Sequence, residues 1–146
     1  MTMLHTNGKP DAFIFDIDGT LAKHVARGPF EEHKVLTDAV IEPVARVLHS
    51  LKRDYQIVFV SGRTDGCRED TIKWIAGHLG IHNPVLFMRK SGDQRKDSII
   101  KKEIYEAHIF PDYNLIGVFD DRLQVCRMLY ENKIFCFNVN QGLKEF

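Results

Sequence analysis

The tightest constraint in this chain is the segment Asp16-Ile17-Asp18-Gly19-Thr20, which stands directly after the apolar run Ala12-Phe13-Ile14-Phe15. Two carboxylates two residues apart repel each other unless a cation or a proton shares their site. Gly19 permits a sharp departure from a strand, and Thr20 offers a hydroxyl to the turn or to a phosphate oxygen. In that setting Asp16 can attack phosphorus and form an aspartyl-phosphate. Asp18 can protonate the departing oxygen and later take a proton from water. A lone DxD is more often an acidic turn that caps a strand. Here the preceding strand and the following Gly-Thr favour chemistry.

The rest of the chain must therefore build a fold that presents a strand end. Four more short apolar runs follow: Ile57–Val60, ending at Ser61-Gly62; Pro84–Met88; Leu115–Phe119, ending at Asp120-Asp121; and Ile134–Phe137. Short, continuously apolar runs read as strands covered on both faces, hence a parallel sheet. Between them lie helical stripes at Ile41, Val44, Leu48 and Leu51, with Pro43 in a first turn, and at Ile72, Ile75 and Leu79, with Gly80 as the C-terminal cap. Ile100, Ile104 and Ala107, stopped by Pro111, form a third, and Val125, Met128 and Leu129 a fourth. This alternation predicts an α/β fold, doubly wound in three layers, in which ligands sit beyond the carboxyl ends of the strands.

With 146 residues the chain reads as one domain over 1–146, with Met1 to Pro10 as a polar lead-in. Its 20 basic residues balance 20 acidic ones. No global field draws it to polyanions, and any such contact must be local. Cys67, Cys126 and Cys136 lack the spacing of a zinc site or a disulfide framework and read as reduced thiols of a cytoplasmic protein. No apolar run approaches the roughly 18 residues of a membrane span.

Three further signals accompany the first. Ser61-Gly62-Arg63 offers a hydroxyl and a close-approaching backbone, read as N–H groups near a helix start that suit a phosphate. Asp93-Gln94-Arg95-Lys96-Asp97 opens the third helical pattern, where a lysine can neutralise the nucleophile and hold the phosphoryl group. Phe119-Asp120-Asp121-Arg122 adds carboxylates for a hard cation such as magnesium. Each alone has a bland reading, respectively a strand-to-helix turn, a solvated first turn and a helix N-cap. Their order along the chain, each at a strand end or a helix start, is that of one shared pocket.

On these residues the chain resembles the haloacid dehalogenase superfamily of phosphohydrolases. The resemblance implies a five-stranded parallel sheet of strand order 5-4-1-2-3 with a small cap insertion. It implies Asp16 as nucleophile, Asp18 as general acid–base, Lys96 and Ser61 on the phosphoryl group, and Mg2+ held by Asp16, the Asp18 main-chain carbonyl and Asp120, with Asp121 in support. From Asp11 onward the chain resembles more closely the 3′-phosphatase domain of the phage polynucleotide kinase/phosphatase family. That likeness rests on Asp16-Ile-Asp-Gly-Thr-Leu-Ala-Lys23, Arg27-Gly28-Pro29-Phe30, Ser61-Gly62-Arg63, Gly92–Asp97, and Asp120-Asp121-Arg122 with Gln124-Val125. It implies that Arg27, Arg63 and Asp93 engage the substrate phosphate. It also implies a nucleic-acid 3′ end, DNA or RNA, as substrate, and a phage-encoded protein in the host cytoplasm. No GxxxxGK[ST] occurs, so the expectation is a free-standing phosphatase or one separated from a kinase partner, with a ligase as another candidate partner.

The stretch between Thr20 and Ser61 leaves room for only a small cap, read as residues 21–38. A small cap keeps the mouth open, so a polymer end could enter. Lys23, His24, Arg27, His33 and Lys34, with Arg89, Lys90, Arg95 and Lys96, could track a phosphate backbone, against a null of solvated mixed charge. Phe30 or Trp74 could stack on a base, although each reads more readily as core. The alternatives are a small-molecule phosphatase, such as a 5′- or 3′-nucleotidase, and a non-enzymatic binding module that keeps the fold.

Overall fold

We describe a computed structural model of the chain covering residues 7–142 and Glu145. The proposed lead-in therefore lies in part outside the described residues. Strands β1 (Asp11–Phe15), β4 (Gln56–Thr64), β5 (Val85–Arg89), β6 (Asn114–Asp120) and β7 (Cys136–Asn138) form one parallel sheet in the order β5-β4-β1-β6-β7. Counting only these five strands along the chain, that is the expected order 5-4-1-2-3 read from the other edge. Strand β1 lies at the centre, and its register sets Phe15 beside Phe59 on one side and Phe119 on the other.

Alternation along β1 builds the two outer layers, because successive side chains leave a strand on opposite faces. Phe13 and Phe15 join Leu48 of α1 (Glu42–Leu51) and Trp74, Ile75 and Leu79 of α2 (Arg68–Leu79). Ala12 and Ile14 join Tyr105, Ile109 and the Val125–Leu129 face of α4 (Leu123–Glu131) on the opposite side. Gly80 caps α2 in the left-handed conformation, as its position predicts.

Two local readings change. Strand β4 does not stop at Val60 but runs through Ser61, Gly62 and Arg63 to Thr64, with a register shift against β5. Helix α3 (Asp97–Ile104) continues as a π turn, Tyr105–Ile109, closed by a bond from the Phe110 N–H to the Tyr105 carbonyl. The wider turn shifts the helical phase, so Tyr105 and Ile109 are buried and Ala107 is exposed.

The cap is small. Strands β2 (Ala22–Lys23) and β3 (Ala39–Val40) pair antiparallel, and residues 24–38 form the excursion between them, with a kinked 3-10 segment at Glu32–Thr37. None of the described helices is long and apolar enough to cross a membrane. Cys67, Cys126 and Cys136 are unbridged thiols.

Phe15 precedes Asp16 and stacks on Phe119 at a centroid separation of 4.3 Å. Phe15→Ala should destabilise the protein by about 3–5 kcal/mol, the usual cost of emptying a buried aromatic site. Urea unfolding measures it, and a loss below about 1 kcal/mol would show that the stack does not anchor β1.

Candidate active site

The adjacency of β1 and β6 brings their last residues together. The Asp16 N–H donates to the Phe119 carbonyl (3.0 Å), which sets the end of β1 against that of β6. The carboxylates of Asp16, Asp120 and Asp121 lie within 4.8 Å of one another. Burial pushes the Asp16 carboxyl well above the usual range, and the neighbouring Asp120 charge adds to the effect. Burial likewise raises Asp121. The Thr20 hydroxyl donates to Asp16 Oδ2 at 3.0 Å, so Thr20 serves the turn. Gly19 sits at φ +79°, and a Cβ there would run into the Asp121 carboxylate, so the turn and that acid shape each other.

The lysine that serves this cluster is Lys101, not Lys96. Its fully buried ammonium donates to Asp16 Oδ1 at 2.9 Å and to Asp120 Oδ2 at 2.7 Å. Burial would lower its pKa, but Asp120 and Asp16 outweigh that and hold it charged. Lys96 is the exposed N-cap residue of α3, just before the helix begins. The signal for Lys101 was in the sequence. It falls on the buried face of α3 between Ile100 and Ile104, where a lysine without a carboxylate partner would be costly.

Asp18 faces a second constellation. Arg63 donates to it from Nε (3.1 Å to each oxygen) and from Nη2 (2.8 Å), Arg27 Nη2 adds a bond at 3.2 Å, and His24 Nε2 lies 2.9 Å away. Burial opposes the charge on Asp18, yet the His24 and Arg63 hydrogen bonds win and hold its carboxyl well below the usual range. Beneath them is Asp38, absent from the sequence reading. It is buried and accepts from Arg27 Nε (2.9 Å) and Nη2 (3.0 Å) and from Arg63 Nη2 (2.9 Å). Asp18, His24 and Asp38 also meet the spacing of a cation site, but the two guanidinium groups already supply its positive charge.

Other expected residues move. Ser61 is buried and its Oγ accepts from the Arg63 N–H (3.1 Å) inside β4, so no helix start lies there. Gly62 is held close to α3, since a Cβ there would meet the Asp97 carboxylate. Arg89 donates to the carbonyls of Gly62, Asp93 and Arg95 and to Asp97, which fixes the loop before α3. Asp93 is turned to Arg95, whose guanidinium lowers its pKa to about 2. The expected basic track is correspondingly muted. Arg27, Lys34, Arg89 and Arg95 all sit in ion pairs with acids.

These groups open on one cleft of about 890 Å³, lined by Asp16, Asp18, Gly62, Arg63, Asp93 and Asp121 among others. An all-oxygen set of three converging carboxylates with one lysine fits a hard divalent cation. Asp16, on the wall of a cleft that Arg63 also lines, fits a nucleophile for phosphoryl transfer.

Comparison with known proteins agrees with this geometry. Residues 10–143 match the family model of the polynucleotide kinase PNKP phosphatase domain. A protein of Autographa californica nuclear polyhedrosis virus, named "Putative bifunctional polynucleotide kinase/RNA ligase", is 37% identical over 141 residues, which is 94% of this chain and 20% of that protein. A chain in the structure of the Pnkp1/Rnl/Hen1 RNA repair complex superposes with a TM-score of 0.87 at 36% identity, over 97% of this chain and 46% of that one. A second Pnkp1/Rnl/Hen1 structure gives 0.85 at 38% identity, over 92% and 47%. The chain thus spans a fifth of the viral relative and under half of the structural ones.

Asp38→Ala should strand two buried arginines and cost about 3–5 kcal/mol. Thermal unfolding measures it. A melting temperature equal to that of the unsubstituted chain would mean that Asp18 alone suffices to hold the pair.

Proposed function

The chain belongs to the family of polynucleotide kinase PNKP phosphatase domains, and on that premise we propose that it is a magnesium-dependent polynucleotide 3′-phosphatase. It removes a terminal 3′-phosphate from DNA or RNA through an aspartyl-phosphate on Asp16 and leaves a 3′-hydroxyl. The observation that most supports this reading is the convergence of Arg27 and Arg63 on Asp18, beside a carboxylate cluster served by Lys101.

The parts divide the work. Lys101 offsets the charge of Asp16 as an anionic phosphate approaches. Arg27 and Arg63 exchange Asp18 for phosphate oxygens, with the planar forks that suit them. Asp18, released from the bonds that hold it charged, regains its proton affinity and protonates the leaving 3′-oxygen, then takes a proton from the attacking water. Asp16, Asp120, Asp121 and the Asp18 main-chain carbonyl would hold Mg2+, which would supply positive charge to the site. Ser61 and Asp93 act at one remove here, through Arg63 and Arg95.

A kinase or ligase acting on the same ends is the partner class that fits the relatives' names, and the organism of the viral relative supports a virus-infected cell as the setting. The rival reading is a 5′- or 3′-nucleotidase, which the cleft volume also accommodates. A panel of 3′-phosphate DNA, 3′-phosphate RNA, 5′-phosphate DNA and free 3′-nucleotide, with magnesium, separates the two. Release from the 3′-phosphate oligonucleotides is expected. Brisk release from the mononucleotide with none from either oligonucleotide would assign the nucleotidase instead.

Asp16→Asn should abolish turnover, and Asp18→Asn should lower it about 10²–10⁴-fold. Lys101→Met should lower it about 10²-fold or more, whereas Lys96→Ala should change it less than about twofold. Steady-state kinetics on a 3′-phosphate oligonucleotide decide between the two lysines. Magnesium should also raise the melting temperature, as a ligand bound only by the folded state must, and Asp120→Asn should remove that rise.

A further inference from the structure

Cys126 lies on α4 and Cys136 opens β7, and the proposed reaction uses neither. Thiols on neighbouring elements are often no more than small core residues. Three observations set this pair apart.

First, the two side chains meet. Cys136 sits on the sheet face that packs against Val125, Met128 and Leu129 of α4. The Cys126 and Cys136 thiols hydrogen-bond each other. The turn that joins them is set by its backbone. The Asn132 N–H donates to the Met128 and Leu129 carbonyls (3.1 Å each), and the Ile134 N–H donates to the Leu129 carbonyl (2.9 Å). Two thiols tethered side by side in this way meet at a high effective concentration.

Second, a reagent can reach them. Both are half-buried, and Cys126 lines a surface cavity of about 280 Å³ together with Tyr130 and Asn138. Cys67 differs on both counts. It is buried, and its sulfur contacts the Thr64 carbonyl and the Thr71 hydroxyl rather than another cysteine.

Third, the pair adjoins the carboxylate cluster. Cys126 Sγ donates to the Asp120 carbonyl (3.6 Å), which also accepts from the Val139 N–H (3.0 Å). The register of β7 sets Asn138, two residues beyond Cys136, beside Asp120.

We propose that Cys126 and Cys136 are a modification site for low-molecular-weight disulfides such as oxidised glutathione, which convert the pair to a reversible intramolecular disulfide. One cysteine thiolate attacks a sulfur of the reagent, whose S–S bond breaks and releases one reagent thiol. The second cysteine thiolate attacks the protein sulfur of that mixed disulfide. The Cys126–Cys136 bond forms, and the second reagent thiol leaves. The two cysteine protons end on the two reagent thiols, and the protein gives up the two electrons that the reagent gains. The oxidised pair has no S–H left to donate to the Asp120 carbonyl, so the change reaches the end of β6.

The test treats the reduced full chain with oxidised glutathione and counts free thiols after denaturation. The count should fall from three to one, and dithiothreitol should restore it. Peptide mass mapping should join the Cys126 and Cys136 peptides and leave Cys67 free. Cys67→Ser should fall from two thiols to none, which needs neither member of the pair to be altered. In Cys136→Ser, Cys126 should instead retain glutathione as a mixed disulfide. A count that stays at three, glutathione that remains on the unsubstituted chain, a bond that involves Cys67, or a bond between two molecules on a non-reducing gel would each overturn the proposal. The outcome is independent of the phosphatase reading, because the thiol count decides it whether or not the chain hydrolyses any phosphate ester.

Discussion

The Lys101 ammonium is the interaction on which the rest of the site depends. It reaches from a helix on one face of the sheet to the carboxylates that end the two central strands. Without it, Asp16 and Asp120 would face each other in a buried site with nothing to balance their charge. A buried ion triad of this kind adds little net stability, because desolvation of the charges offsets their attraction. What it fixes is geometry. Strand β1, strand β6 and helix α3 are locked into the arrangement in which the Asp16 carboxylate lines the cleft with one oxygen held by Lys101 and the other by Thr20.

Much of the scaffold was legible because its signals are local. A run such as Ala12–Phe15, apolar at every position and too short for a helix, reads as a strand covered on both faces, and the order of such runs and helical stripes points to the layers. The acids at the ends of β1 and β6 were legible for the same reason. Lys101 was misread as Lys96 because the reading followed a charge run, Arg95-Lys96-Asp97, rather than the helical phase. Counted around α3, position 101 faces the sheet and position 96 precedes the helix. Asp38 left no sequence mark, since a single aspartate at the end of a cap segment becomes a keystone only when Arg27 and Arg63 arrive from elsewhere. Phe30, offered by the sequence as a possible stacking residue but read more readily as core, is exposed. An aromatic residue after Gly-Pro carries no periodicity that says whether it turns in or out.

The same comparison explains why composition was a poor guide to the cleft. The cationic residues expected to form a track are present, but several are used internally: Arg27 on Asp38, Arg89 on the backbone of the loop before α3, Arg95 on Asp93 and Glu103, and Arg63, read for the phosphate, is likewise on Asp38. Their role is to hold loops and to set the state of Asp18. In the proposed reaction Arg27 and Arg63 would also couple binding to proton affinity, since Asp18, on losing the arginines, is the group that would then carry a proton.

The cap has a consequence of its own. Glu32 accepts from the Thr64 backbone N–H (3.0 Å) and from its hydroxyl, which ties the cap to the end of β4, while Asp38 anchors the cap's far end through Arg63 and Trp74. Lifting the cap would break hydrogen bonds at one end and expose the buried Asp38 ion pairs at the other, so it is a poor hinge. The opening above Asp16 is a fixed aperture, cut to size when the chain folds rather than when a ligand arrives. Selection then works as a gauge does. What can reach Asp16 is then set by the shape the cleft of about 890 Å³ already has.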